Sequence, residues 1–201
     1  PPAPAGGRPW VIGWFGMLRC QRTLEMLGRL AAGSGGRIEV VIAGIPSAAV
    51  FPDFAAQVAA MPGLRYLGPY TKADLPRLYG QIHFVWAIDY FEEGLNSAWL
   101  LPNRLYEGLA HGAVPLALGD VATGSWLHRH GAGLLLGAPA ADLPARLQAL
   151  DAAGLARLRA EVDAIPDEAI WQTAAERAAI ASAICGAAAA ATTPARLEVA
   201  A

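Results

Sequence analysis

The sequence predicts an α/β domain with a doubly wound parallel sheet, and three observations carry that prediction. Short apolar, β-branched runs recur along the chain, among them WVIGWFG (10–16), RIEVVIAG (37–44) and IHFVWAI (82–88). Within them apolar residues are consecutive rather than alternating, as in strands buried on both faces. Helical patterns separate the runs, and such alternation builds β-α-β units with helices on both sides of a parallel sheet. In a sheet of this kind ligands sit outside the carboxyl ends of the strands. The loops after residues 16, 44, 68, 88 and 118 are therefore where function is expected.

Taken in order, the first strand covers 10–16 and closes on Gly16. Residues 22–31 then place Leu24, Leu27 and Leu30 at helical spacing. The second strand, 37–44, also closes on glycine, and a helix over 53–60 takes Asp53 as its N-cap. LRYLG (64–68) reads as a third strand, ADLPRLYG (73–80) as a short helix or turn ending at Gly80, and 82–88 as the fourth strand. A long loop rich in aromatic and acidic residues follows, DYFEEGLNSAWLLP (89–102). Next come a helix over 103–111, the strand VPLAL (114–118), a short helix over 124–130 and a last strand, GAGLLLG (131–137). ADLPARLQAL and AGLARLRAEV read as helices, and 167–185 as one long terminal helix. PPAPAGGRP (1–9) reads as a linker, so the chain is expected to be the carboxyl-terminal part of a longer protein. Residues 10–185 form the binding domain and the Ala/Thr-rich stretch 186–201 a disordered tail.

Composition excludes several function classes. Of the 201 residues 55% are apolar and 16% charged, but much of the excess is alanine, which suits helices. No window reaches the roughly 18 unbroken apolar residues of a spanning helix. A net charge of −2 leaves no surplus of cations to neutralise a nucleic-acid backbone. The two cysteines, Cys20 and Cys185, are too far apart in sequence to suggest a disulfide framework or a metal motif, which fits a reducing, cytoplasmic setting. Nor is a signal-peptide layout present.

Two loops and one helix carry the candidate chemistry. In GWFGMLRCQR (13–22) the dinucleotide fingerprint G-x-G-x-x-G is incomplete. Gly16 nevertheless stands at a strand end before a helix, with Arg19 and Arg22 close by. Free N–H groups at a helix start plus a guanidinium fork suit a pyrophosphate, although two solvated arginines would give the same pattern. The 89–102 loop offers Asp89, Glu92 and Glu93 for acid–base or metal chemistry, or simply for solvent. Gly94, Asn96 and Ser97 supply backbone amides and short polar groups suited to sugar hydroxyls. In the helix, Asn103, Glu107 and His111 follow an i, i+4, i+8 spacing along one face, with Leu105 and Leu109 opposite. Glu107 suits a vicinal diol such as a ribose. The alternative is an Arg104–Glu107 surface pair contributing about a few tenths of a kcal/mol. His83, His111, His128 and His130 show no ligand spacing, and no P-loop or G-x-S-x-G motif is present.

PNRLYEGLAHGAVPLAL (102–118) resembles the donor-site segment of family 4-like GT-B glycosyltransferases, P-N-K-L-x-E-x-x-A-x-G-x-P-V. GWFGMLRCQRTLEML resembles the start of that superfamily's donor domain. LYGQIHFVWAIDYFEEGLNS stands in the place of its E-x-F-G region. More narrowly, FGxLRC, EEGLNSAWLLPNRLYEG and HGAVPLA resemble bacterial succinoglycan-type exopolysaccharide glucosyltransferases. The resemblance covers residues 10–137.

It implies the Rossmann-like carboxyl-terminal half of a GT-B enzyme, with Glu107 on the ribose and Arg22 in the place of a diphosphate-clamping lysine beside Gly16 and Arg19. Glu93, Gly94, Asn96 and Ser97 would meet the sugar, and Asn103 and Arg104 would assist at the helix mouth. The family pattern has two glutamates separated by seven residues, and Trp99 occupies the place of the first. The resemblance implies a nucleotide-sugar donor, UDP-glucose above all, with no cofactor and no metal, since an Asp-x-Asp motif is missing. It assigns no catalytic residue. An amino-terminal acceptor domain lies outside this sequence, and the acceptor is a saccharide or lipid-linked saccharide at the inner face of the bacterial membrane, with peripheral contact at most. A nucleotide-sugar 2-epimerase of the same fold and a non-catalytic nucleotide-binding module are the rival readings.

Overall fold

The structure, a computed structural model, describes residues 7–191, with side-chain surroundings through Cys185. The chain divides into two compact units after Ile165. The first unit contains, in order, β1 (Trp10–Leu18), α1 (Gln21–Gly33), β2 (Ile38–Pro46), α2 (Phe54–Ala59), β3 (Leu64–Tyr66), a 3-10 turn (Lys72–Asp74) and α3 (Leu75–Tyr79). It continues with β4 (Phe84–Trp86), α4 (Asn96–Trp99), α5 (Asn103–Ala110), β5 (Val114–Leu118), α6 (Ala122–Arg129), β6 (Leu134–Leu136), α7 (Pro139–Ala149) and α8 (Ala152–Asp163).

All six strands are parallel, in the order β3-β2-β1-β4-β5-β6. The chain winds outward from β1 in one direction and then from β4 in the other, which is the doubly wound arrangement expected. The point of reversal lies between β1 and β4. Local chemistry sets the helices. The Cys20 sulfur accepts from the Thr23 amide at the start of α1, and the buried face of that helix carries Leu24, Leu27 and Ala31. Asp53 caps α2 by accepting from the Ala56 amide at 3.0 Å, as its position before the helix predicts. The strands supply the centre of the core: Ile12, Phe15, Val40, Ile42, Phe84 and Leu116 are all fully buried. Each such side chain contributes about 1.5–3 kcal/mol by leaving water.

The sheet forks where the reversal occurs. β1 pairs with β2 from Trp10↔Ile38 through Leu18↔Pro46, but with β4 only at Ile12↔Phe84 and Gly13↔Val85. Beyond Trp86 the chain leaves the sheet, so the last residues of β1 have a neighbour on one side only. Gly16 and Gly44 face each other across this extended part, with φ of 115° and 139°. A Cβ on Gly44 would lie 1.8 Å from the Gly16 carbonyl oxygen, so only glycine lets these two backbones meet.

Several elements differ from expectation. β4 is three residues long rather than seven, and the 89–102 loop contains α4. In the second unit the single helix expected over 167–185 is two, α9 (Asp167–Ile170) and α10 (Ala174–Ala191). The cause is a capping box between them: the Glu176 carboxylate accepts from the Thr173 amide at 2.8 Å, while the Thr173 hydroxyl accepts from the Glu176 amide at 3.1 Å. α10 runs to Ala191, into the stretch read as a tail. Residues 192–201, and residues 1–6 of the expected linker, lie outside the described residues.

α5 rests on β4 through Gly108, where an added Cβ would come 2.5 Å from Val85 Cγ1. Gly108→Ala is therefore expected to lower the free energy of unfolding by about 1–3 kcal/mol. Urea denaturation would show this as a lower midpoint; an unchanged midpoint would mean that Val85 yields without cost.

Candidate functional site

The fork between β1 and β4 opens a cleft of about 350 Å³. β1 and the turn after it contribute Gly16, Met17 and Arg19; the chain after β4 contributes Asp89; α5 contributes Asn103, Arg104 and Glu107. Five of the predicted residues, Gly16, Arg19, Asn103, Arg104 and Glu107, thus meet in one cavity. Tyr70 joins them from the segment before α3.

α5 enters this cleft by its amino terminus. Pro102 stands at the cap position, and no side chain caps the first turn. The positive end of the helix and its unspent amides are therefore offered to the cavity. Glu107 lies one turn further in. The hydroxyl of Tyr79 donates to Glu107 Oε2 at 3.2 Å. Tyr79 is itself immobilised, with its ring edge-on to Phe15 at 5.0 Å and stacked on His111 at 5.2 Å. The His111 ring is held in turn by Nδ1, 2.8 Å from the Glu107 carbonyl oxygen. A buried phenol thus braces the carboxylate from behind. Burial, and then the Glu107 charge, raise the Tyr79 hydroxyl well above the usual tyrosine value. The same two causes push Tyr70 up to about 12.

Arg104 does not pair with Glu107 on the surface. It turns inward, donating to the Ile88 carbonyl at 2.9 Å and facing the Asp89 carboxylate at 3.7 Å. Its side chain is only 10% exposed, and its Nε has no partner. Burial lowers its affinity for a proton, an effect that Asp89 opposes.

The two arginines after β1 are clasped by the 89–93 segment. Arg19 lies 4.0 Å over the Phe91 ring and 3.8 Å from Asp89. Arg22 lies 3.9 Å over the Tyr90 ring and 2.5 Å from Glu93. Each guanidinium is held between an aromatic face and a carboxylate, which fixes its plane.

The remaining predicted residues do not line the cleft. Arg22 and Glu93 are occupied with each other. Asn96 donates to the Glu92 carboxylate at 2.7 Å, and the buried Ser97 hydroxyl donates to the Glu92 carbonyl at 2.9 Å. These short polar groups satisfy their own loop, as such side chains often do. Gly94, at φ 79°, turns the backbone on the exposed side of that loop. Sequence reasoning assigned no role to Tyr70 or Tyr79 and kept Asp89 only as a loop acid. Asp89 was legible as the first polar residue beyond the most apolar strand; nothing in the spacing marks the tyrosines. Among the described residues no three His, Cys, Asp or Glu side chains converge as ligands for a metal ion.

The tyrosines give a test by pH. Between pH 10 and about 12 an unfolded chain loses a proton that folded Tyr70 keeps. Stability present below pH 10 should therefore decline as pH rises through that window. Tyr70→Phe should reduce the decline, as measured by denaturation at fixed pH values.

No protein-family model matches the chain. Over 135 residues it is 48% identical to the succinoglycan biosynthesis protein ExoL of Rhizobium meliloti strain 1021, an overlap of 67% of this chain and 34% of that protein. Its fold matches that of Anabaena HepE, solved in complex with UDP-glucose, with a TM-score of 0.68 at 14% identity, over 88% of this chain and 49% of that one. A glycosyltransferase from Rickettsia africae ESF-5 gives a TM-score of 0.56 at 14% identity, over 80% of this chain and 44% of the other. The chain thus spans about a third of the length of the curated relative and about half of these solved structures. It is a homologue of ExoL built on the Rossmann-like fold of the GT-B glycosyltransferases.

Proposed function

We propose that the chain is the donor-binding, carboxyl-terminal half of a glycosyltransferase, which moves a hexose from a nucleoside-diphosphate sugar to a saccharide in exopolysaccharide synthesis. One observation carries this reading: Glu107, braced by Tyr79, shares a cleft with the uncapped start of α5 and with Arg19. A fixed carboxylate accepts from both hydroxyls of a ribose. The helix terminus and the guanidinium neutralise a diphosphate, and they do so more strongly as charge builds on the departing group. Arg22 is next to Arg19 and joins it on the phosphates when it exchanges Glu93 for the ligand. The sugar then lies toward Glu93 and Gly94, with the backbone beside Asn96 and Ser97.

UDP-glucose is the donor we favour, because ExoL is named for succinoglycan biosynthesis and HepE was solved with that nucleotide-sugar. The acceptor half belongs to the rest of a longer protein, so this chain binds donor without transferring sugar. A saccharide acceptor carried on lipid places the enzyme at the cytoplasmic face of the membrane, in peripheral contact. Among the described residues no helix is long and apolar enough to cross a membrane. The diphosphate charge is met by cationic side chains and the helix end, so the reading invokes no metal or other cofactor.

Calorimetric titration with UDP, UDP-glucose, GDP and ADP tests it. UDP and UDP-glucose should bind in preference to the purine nucleotides. Glu107→Ala should weaken UDP by roughly tenfold or more, the worth of one or two hydrogen bonds to a charged group. Equal binding by Glu107→Ala would reject the ribose role. If no nucleotide binds, the chain is an interaction module instead.

A further inference from the structure

Two carboxylates line the donor cleft, and they come from different elements: Glu107 from α5 and Asp89 from the chain beyond β4. Their surroundings differ. Glu107 accepts from the Tyr79 hydroxyl at 3.2 Å, whereas Asp89 faces two guanidiniums, Arg19 at 3.8 Å and Arg104 at 3.7 Å. A nucleoside-diphosphate sugar is linear, with its hexose beyond the diphosphate as seen from the ribose. Arg19 is the cation read as meeting the diphosphate, and the carboxylate that it faces is Asp89. With the ribose at Glu107, Asp89 therefore stands where the hexose begins.

Asp89 is held in place but not used up. Its Oδ1 accepts from the Phe91 amide at 2.9 Å, and the carbonyl of the preceding residue, Ile88, accepts from Arg104 at 2.9 Å. The Oδ2 contacts to Arg19 and Arg104 are too long for hydrogen bonds, so among the described residues Oδ2 accepts none. The side chain is only 16% exposed, yet it lines the cavity. Such an oxygen, with charge partners but no hydrogen bond, is open to an O–H donor from a ligand. The flanking guanidiniums also offset its repulsion of a nearby diphosphate.

The other polar groups of the loop are spent. Glu93 pairs with Arg22, Asn96 and Ser97 both bond to Glu92, and none of the three lines the cleft.

We propose that Asp89 reads the hexose of the donor, accepting through Oδ2 from its hydroxyls. The assignment rests on the donor reading of the same cleft and puts the sugar at the start of the loop that carries Glu93 and Gly94. A charged acceptor makes the stronger hydrogen bond. A sugar that lacks the matching hydroxyl leaves that carboxylate unpaired in a closed site, which is how such a group discriminates between substrates.

The test is calorimetric titration of the full 201-residue chain with UDP, UDP-glucose and the 2-, 3- and 4-deoxy analogues of UDP-glucose. Asp89→Asn keeps an oxygen for the Phe91 amide and removes the charge. It should lower the ratio of UDP-glucose affinity to UDP affinity by about tenfold, since the lost bonds reach only the sugar. In the unaltered chain at least one deoxy analogue should bind about tenfold more weakly than UDP-glucose, and Asp89→Asn should largely erase that difference. Circular dichroism establishes folding. Asp89→Ser, whose hydroxyl also suits the Phe91 amide, gives the same ratio should Asp89→Asn not fold. An unchanged ratio overturns the proposal, and an equal loss of UDP and UDP-glucose would mean that Asp89 merely positions Arg19. Equal binding of all the deoxy analogues by the unaltered chain overturns it too. Failure of that chain to bind UDP removes the donor reading itself, whereas UDP binding with an unchanged ratio removes only the role of Asp89.

Discussion

The structure depends on the unequal length of two neighbouring strands. β1 continues to Leu18, whereas β4 stops at Trp86, and the extra residues of β1 are paired on the β2 side alone. Had β4 run on beside β1, its backbone would have filled the space that the cleft occupies. The extension is possible because Gly44, where an added Cβ would collide with the Gly16 carbonyl, lets β2 approach β1, while Gly16 supplies the positive φ that the backbone needs there. From that fork follow the cavity, the approach of α5 and the exit of the acidic loop. Gly108 plays a related part on the far side, since its missing side chain lets α5 settle on Val85 and brings Glu107 to the cleft.

Electrostatics around the fork are arranged as linked pairs rather than as isolated charges. Asp89 lies between Arg19 and Arg104, one partly exposed and the other almost wholly buried. Glu93 holds Arg22 alone, at the solvent side. The difference matters energetically. An exposed pair contributes at most about 1 kcal/mol, so Arg22 can exchange partners at little cost. Arg104 is desolvated and tied to a backbone carbonyl, so its role is to shape the start of α5 rather than to move. The aromatic faces of Tyr90 and Phe91 restrict the planes of the two outer guanidiniums.

Much of this was legible before any coordinates. Apolar runs at 10–16, 37–44, 82–88 and 114–118 gave the strands because a sheet covered on both faces demands apolar residues at every position. Asp53 was legible as a cap because a short acceptor before a helix has one local use. Other features were legible but outweighed. The Thr173–Glu176 capping box is plain in the sequence, yet the alanine-rich surroundings read as one unbroken helix. In the 89–102 loop the side chains of Asn96 and Ser97 bond to Glu92, a choice of partner that residue type and spacing do not reveal.

The sequence by itself determined the order of strands and helices, the face of α5 that carries Glu107, and the homology that goes with PNRLYEGLAHGAVPLAL. These are local properties, fixed by periodicity, capping and motif spacing within a few residues. Only the tertiary structure decided that Arg104 would turn to Asp89 instead of Glu107 and that Tyr79 would brace Glu107. Each of those contacts joins different elements, and hydrogen bonding and burial select among such partners only after the sheet has brought them together.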